Sequence, residues 1–398
     1  MENTEHHEVV IIGGGICGLA IALALHRKGV KSLVLERFQT LRATGAAMIM
    51  LPNGWRALNH LQVSDSLRNT AIPITAGYRV YGAGKRDKLP LGDDEIRCLK
   101  RQDLVSVLFN DLPQGTVRFG CRVVSLKINA HSRSVIQLDD GRTISASMVV
   151  GCDGVHSIVS DELGLSPMKV TNTSAIRGFT EYPNGHNLPP EFIIHTNDDG
   201  QFGYIPITEN SVYWFVTRIK KTQDSHIVGD KPQIMSAALE FIEGRNEKEI
   251  EMVKRTEMDM LVLTTNLILR SPFDLLTNTF RKGRVIVAGD ALHAMGPFLA
   301  QGGSLSLEDA VIFAKCVAPV ISNRSSGTKG EKGIEEALDQ FFKLRQMRAF
   351  WMMSHTYLMG IVAGTVPYKL VRFIGILLFI IFFSRDPTSH TRFDCGPL

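Results

Sequence analysis

Cysteine and tryptophan are scarce in this 398-residue chain, which holds six of the first and three of the second. The cysteines (Cys17, Cys98, Cys121, Cys152, Cys316 and Cys395) stand far apart and form no C-x-x-C pair. That spacing argues against a zinc knuckle, a C-x-x-C redox centre or a dense disulfide framework. Surplus charge is lacking too. The 44 Lys+Arg and 40 Asp+Glu leave +4, with no dense basic cluster, which argues against a nucleic-acid partner. Met1 to Glu8 has neither the apolar stretch of a signal peptide nor the basic, serine-rich character of a transit peptide, so a reducing, cytoplasmic setting is expected. Apolar residues make up 44%, enough to exclude disorder, and the length favours two domains over one core.

What is present is concentrated at the start. Val9-Val10-Ile11-Ile12 is a short apolar run of the kind buried on both faces of a parallel sheet. Gly13-Gly14-Gly15-Ile16-Cys17-Gly18 follows, and Leu19 to Leu25 reads as helix, with Gly29 placed to cap it. A second strand, Ser32 to Leu35, ends in Glu36, 18 positions after the last glycine. This is a βαβ unit with G-x-G-x-x-G at Gly13, Gly15 and Gly18. Gly13 allows the tight turn, Gly15 lets backbone approach a pyrophosphate, and Gly18 lets helix and strand pack closely. The helix N-terminus attracts a diphosphate, and Glu36 accepts hydrogen bonds from ribose hydroxyls. FAD and NAD are not separated by this motif.

Two later segments separate them. Ser147 to Ser157 carries an apolar strand ending in Gly151-Cys152-Asp153-Gly154, and Arg284 to Ala291 repeats the design with Gly289-Asp290. His293, Pro297, Gly302 and Gly303 come next, before a helical stretch from Ser304 to Val320. Strands ending in Gly-Asp place a carboxylate at the sheet edge where α/β folds bind ligands. A second glycine fingerprint is missing: Gly82-Ala83-Gly84 begins one, but Asp87 stands where the third glycine belongs.

These three motifs, in this order, resemble the group A FAD-dependent aromatic hydroxylases of the p-hydroxybenzoate hydroxylase fold. The likeness runs nearest to salicylate- and 3-hydroxybenzoate-type hydroxylases and to plant zeaxanthin-epoxidase-like monooxygenases, and spans Val9 to about Lys343. It implies an α/β fold: a Rossmann-like, glutathione reductase-like FAD-binding domain, an inserted mixed β-sheet substrate domain and C-terminal helices. It implies that Asp290 bonds the ribityl chain of FAD, that Gly302 and Gly303 direct N–H groups at the flavin pyrimidine edge, and that Asp153 and Gly154 serve FAD and the pyridine-nucleotide region. Arg101 fits the family arginine near the diphosphate, and Arg37 and Arg42 flank the adenosine and flavin ends. Pro297 matches a family proline near the oxygen-reacting carbon. The implied chemistry is reduction of FAD by NAD(P)H, addition of O₂ to give a C4a-hydroperoxide, and oxygen transfer to a small aromatic, isoprenoid-like or otherwise electron-rich substrate. The chain departs from the family at Ala300, where glycine is usual, at Phe298, where an acid is common, and at Ser304 and His156.

The remaining sequence supplies a second layer. Tyr78 to Tyr81, Ala175 to Glu181, Phe192 to His195, Phe202 to Ile207 and Val212 to Ile219 read as strands of a mixed sheet whose inner face roofs the cofactor. The expected organisation is residues 1–74, 98–174 and 273–345 for FAD, 75–97 and 175–272 for substrate, and 346–398 as a C-terminal helical and apolar tail. His195, Tyr204, Tyr213 and Trp214 are candidates for ring contact, with ordinary core aromatics as the competing reading. His293 reads equally as a base or a satisfied loop histidine. Candidate catalytic residues are therefore Pro297, His293 and Tyr204, and no metal is expected. Phe373 to Phe383 is almost wholly apolar, and its eleven residues fall short of the ~20 that span a bilayer. It reads as a buried or homodimer-interface helix, or as a peripheral membrane contact. An epoxidase or dehydrogenase of the same fold, and a non-catalytic FAD-scaffold protein, are the alternatives.

Overall fold

Alternate residues of the first strand enter two different cores, as a parallel strand covered on both faces must. In β1 (Glu5–Ile12), Val9 and Ile11 pack into one cluster and Val10 and Ile12 into the other. The computed structural model describes residues 4–41, 47–81, 84–91, 94–129, 133–323, 329–362, 369–383, 386 and 388–398. β1 lies between β2 (Leu33–Leu35) and β4 (Thr143–Gly151), and β4 pairs with β9 (Val285–Val287), all parallel. They belong to an eight-stranded sheet. The register places Ile12 beside both Leu35 and Gly151, and Gly151 beside Val287, so four strands end on one line. The residues that follow are Gly13, Glu36, Cys152-Asp153 and Ala288-Gly289-Asp290.

Between β1 and β2 runs α1 (Ile16–Arg27), buried from Ile16 to Leu25 and followed by Gly29 at φ 74°. A Cβ on Gly18 would lie 1.9 Å from the Gly13 carbonyl oxygen, so only glycine lets this helix approach so closely.

A seven-stranded sheet supplies the second layer. Its central strands are β3 (Ala76–Tyr81), β5 (Thr173–Glu181), β6 (Glu191–Asn197), β7 (Gly200–Pro206) and β8 (Ser211–Ile219). Neighbours in the order β5-β8-β7-β6 are antiparallel, and β6 pairs with β3 in parallel. Helices Lys231–Phe241 and Glu247–Lys254 cover its outer face, packing Met235, Ala238 and Val253 onto Ile176, Phe202 and Trp214.

The chain then returns through β9 to α2 (Gly302–Ser322), α3 (Lys329–Val362) and α4 (Lys369–Phe383). Helix α3 keeps its inward face buried through Ala349, Met352 and Met353. Helix α2 buries two acids side by side, and α3 answers them. Arg345 Nε donates to Asp309 Oδ1 at 2.7 Å, and Arg345 and Arg348 both reach Glu308 at 2.9 Å. Asn53 donates to Glu308 at 2.7 Å, the Gly289 N–H donates to Asp309 Oδ2 at 2.9 Å, and His293 Nε2 bonds the same oxygen at 2.8 Å. This cluster, fully buried apart from Arg348, joins α2, α3, the helix Pro52–His60 and the loop after β9.

Burial alone would raise the Asp309 pKa, but His293 and Arg345 hold it down to about 2 against an ordinary 3.8. A depressed carboxylate stabilises the fold above its unfolded pKa, and that contribution disappears as pH falls from about 4 towards 2. Asp309→Asn is expected to cost about 3 kcal/mol at neutral pH, since it removes one of the two buried carboxylates that neutralise Arg345. Denaturant unfolding of both proteins at stepped acid pH checks this: the variant should lack roughly 2 kcal/mol of the acid-dependent loss. Parallel pH profiles would contradict it.

Candidate active site

One cavity of about 1190 Å³ lies between the strand tips and the second sheet. Gly13, Gly15, Glu36, Arg37, Arg101, Asp153, Gly154, Asp290, Pro297, Gly302 and Gly303 all line it. Gly18 stands behind the wall, where it allows close packing. Arg42 lies outside the described residues. Strand register explains the convergence, because residues distant in sequence follow strands that end side by side.

The crevice at the tips has the features of an anion and polyol cradle. Gly13 adopts φ 109°, and the position a Gly15 side chain would take has nothing within 4 Å. Helix α1 begins there without a side-chain cap, leaving its first N–H groups for a ligand. Glu36 is buried and oriented by the N–H groups of Gly14 at 2.7 Å and Phe38 at 2.9 Å. Asp153 Oδ2 accepts from the Val159 N–H at 3.3 Å, while Asp153 Oδ1 is buried without a partner. Burial pushes this carboxyl up to about 6, with Ser157 and backbone N–H groups pulling the other way. An unpartnered buried acceptor is costly unless a ligand donor completes it. Helix α2 also starts at the cavity wall without a side-chain cap, at Gly302-Gly303. Ala300, just before it, takes a left-handed φ of 53°, a conformation costing a non-glycine residue about 1–2 kcal/mol.

The second sheet roofs the cavity with alternate residues. Arg79 from β3, Arg177 from β5, Phe192 and Ile194 from β6, Gln201 and Ile205 from β7, and Tyr213, Phe215 and Thr217 from β8 all face in. The sequence leaves His195, Tyr204, Tyr213 and Trp214 between ring contact and core packing; the period of a strand is two, so Tyr213 and Trp214 must diverge. Tyr213 alone of the four lines the cavity. Tyr204 pairs across the ladder with Trp214, and burial pushes its hydroxyl to about 12. Trp214 donates to Thr256 at 2.8 Å and His195 bonds Glu249 at 2.7 Å in the outer layer. His293 is likewise not among the lining residues. Its Nε2 is held by Asp309 in the buried cluster and its Nδ1 is buried without a partner, so it is a packed loop residue rather than a group facing the cavity.

The sequence reading missed Arg177 and the aromatic patch around it. Arg177 donates from Nη2 to Thr264 at 2.6 Å, and its Nε is buried without a partner. Phe179 and Tyr213 lie 5.3 Å apart between ring centres, and Tyr213 and Phe215 6.2 Å. Burial raises the Tyr213 pKa, against the pull of Arg177. Stepping by two from Tyr213 along each paired strand was the signal that would have found them. At the far end, His355, Met359 and Phe379 complete the wall, and burial, helped by His390, holds the His355 pKa down to about 3.

The family described as an FAD binding domain matches residues 6–329. Monooxygenase 1 of Arabidopsis thaliana is 42% identical over 99% of this chain and 100% of its own length. The chain belongs to the FAD-dependent monooxygenases. Monooxygenase 2 of the same plant is 33% identical, with all of both chains covered. Among solved structures, HpxO of Klebsiella pneumoniae, complexed with FAD and uric acid, superposes with a TM-score of 0.78 at 19% identity, over 97% of this chain and 96% of that one. The likeness to the aromatic-hydroxylase family, the α/β fold and the FAD cofactor inferred from the three motifs therefore hold for this monooxygenase.

The unpartnered Asp153 oxygen, the open space at Gly15 and the uncapped helix starts all fit FAD. Because the ligand-free Asp153 pKa is raised above 3.8, protonation stabilises the empty protein at low pH, and that stability is lost as pH rises through about 6. A donor from FAD favours the carboxylate, so FAD affinity is expected to weaken as pH falls below about 6. Asp153→Asn should lose about tenfold or more in affinity at neutral pH and most of this pH dependence. Flavin fluorescence titrations above and below pH 6 measure both, and a wild-type affinity unchanged across that range would contradict the assignment.

Proposed function

We propose that this monooxygenase uses NAD(P)H and O₂ to hydroxylate a small aromatic or otherwise electron-rich substrate. The observation that carries the reading is the roof: an aromatic patch of Phe192, Tyr213 and Phe215 set around Arg177, in the same cavity as Gly302, Gly303 and Pro297. Aromatic faces hold a flat ring by offset or edge contacts, and a guanidinium with an unpartnered buried N–H selects a ring bearing an oxygen or carboxylate substituent.

Bound FAD supplies reduction by NAD(P)H and activation of O₂. The chain binds and orients it. Gly13, Gly15 and the start of α1 receive the diphosphate, Glu36 the adenosine ribose, and Arg37 and Arg101 flank these groups. Asp153 and Asp290 accept from the polyol chain, with Gly154 leaving room beside them. The uncapped N–H groups at Gly302 and Gly303 place partial positive charge where the reduced ring carries negative charge. Pro297 shapes the wall beside the reacting edge. The aromatic and aliphatic residues of the roof, Phe192, Ile194, Ile205, Tyr213 and Phe215, would keep water from the reacting edge. Arg177 and Tyr213 hold the substrate's oxygen substituent, and His293 positions the loop after β9 through Asp309.

NAD(P)H oxidation by the FAD-loaded enzyme is expected to rise when a matching member of a panel of hydroxylated and carboxylated aromatics is added. With ¹⁸O₂ the product should gain a single labelled oxygen. Arg177→Met is expected to raise KM for anionic rings by about tenfold or more while changing kcat less, as loss of a charge-assisted bond requires. A product without label would favour a dehydrogenase of the same fold. A bound flavin that NAD(P)H cannot reduce with any panel member would favour a non-catalytic scaffold.

A further inference from the structure

We propose that α4 docks this monooxygenase onto the surface of an anionic phospholipid bilayer. Helix α4 contains only apolar residues and glycine from Phe373 to Phe383. It packs inward through Gly375, Phe379 and Phe383, spaced by four. A Cβ on Gly375 would meet Ile361 of α3 at 2.6 Å, so the two helices pack closely there. The opposite side is a continuous apolar stripe. Phe373, Ile374, Leu377, Ile380 and Ile381 follow helical spacing and are each 47 to 66% exposed. Trp351, on α3, contacts Phe382 and extends the patch with a half-exposed indole, a ring suited to a membrane–water interface. Monomeric surfaces rarely leave an apolar patch of this extent uncovered.

Length and charge select the occupant. The helix has 15 residues, so it spans only ~22 Å against a ~30 Å hydrocarbon core and must lie along a surface. Among the described residues no helix is long and apolar enough to cross a membrane. From Gln340 to Arg385 the chain has no Asp or Glu, but six Lys or Arg. Arg345 and Arg348 are committed to Glu308, whereas Lys369, Arg372 and Arg385 flank the apolar run in sequence. Juxtamembrane cations of this kind attract anionic headgroups. A second copy fits poorly. A two-fold contact would bring the same cations together. Phe379 on the inner side lines the cavity, so docking sets the cavity wall beside the lipid.

Flotation of the FAD-loaded protein with phosphatidylcholine vesicles, with and without phosphatidylserine, tests this without any turnover. It can therefore fail while the monooxygenase reading stands, and the converse also holds. The wild type should float with the anionic vesicles, with a bound fraction about tenfold above that on neutral ones, and added salt should weaken it. Phe373→Glu/Ile381→Glu, which changes only exposed positions, should stay at the bottom while keeping its flavin spectrum. Wild-type protein that floats with neither vesicle overturns the proposal. So does a dimer, seen by light scattering, that the same double variant splits into monomers.

Discussion

Four parallel strands ending on one line is the constraint from which the site follows. Neighbouring strands lie about 4.8 Å apart, so whatever follows each strand is brought within reach of one elongated ligand. Here those residues are a left-handed glycine, a buried glutamate, an aspartate with an unpartnered oxygen and a Gly-Asp turn. Two helices begin at the same cavity with no side-chain cap. A dinucleotide needs positive dipole for its phosphates and acceptors for its hydroxyls, and this edge supplies both before any loop is considered.

The edge is held by a buried charge cluster. Asp309 takes the Gly289 N–H, His293 and Arg345 at once, so the turn carrying Asp290 is tied to α2 and α3 by one carboxylate. Glu308 and Asn53 extend that tie to the helix Pro52–His60. Buried ion pairs contribute little net stability compared with apolar packing, but breaking one is expensive. Their value here is positional: a ligand's polyol and ring edge meet groups whose placement is set by several elements together.

Much of this was legible in the sequence, for a physical reason. Glycine spacing, strand ends and the acid after β2 are local patterns, and the fold leaves little freedom once they stand in order. The roof was legible only in part. Its strands were read in the right places, but the sequence left His195, Tyr204, Tyr213 and Trp214 between ring contact and core packing, and the two-residue alternation brings only Tyr213 of the four to the cavity. Arg177 was missed because nothing in its neighbours marks it; only its pairing with Phe215 shows which face it takes. The buried cluster was invisible for another reason: Asn53, Glu308 and Arg348 are far apart in sequence, and adjacency through tertiary packing leaves no local pattern. Helix α4 is the reverse case. Its composition was plain, but only packing on α3 shows which of its faces remains uncovered.

The central claim is that the strand-tip crevice holds FAD with the flavin ring beneath the aromatic roof. Its most direct measurement is the absorbance spectrum of protein mixed with FAD and then freed of excess cofactor. A stoichiometric yellow complex is expected, with flavin bands that shift when an aromatic ligand is added, because both would share one cavity. A colourless protein after that treatment, or a bound flavin whose spectrum no aromatic ligand perturbs, would contradict it.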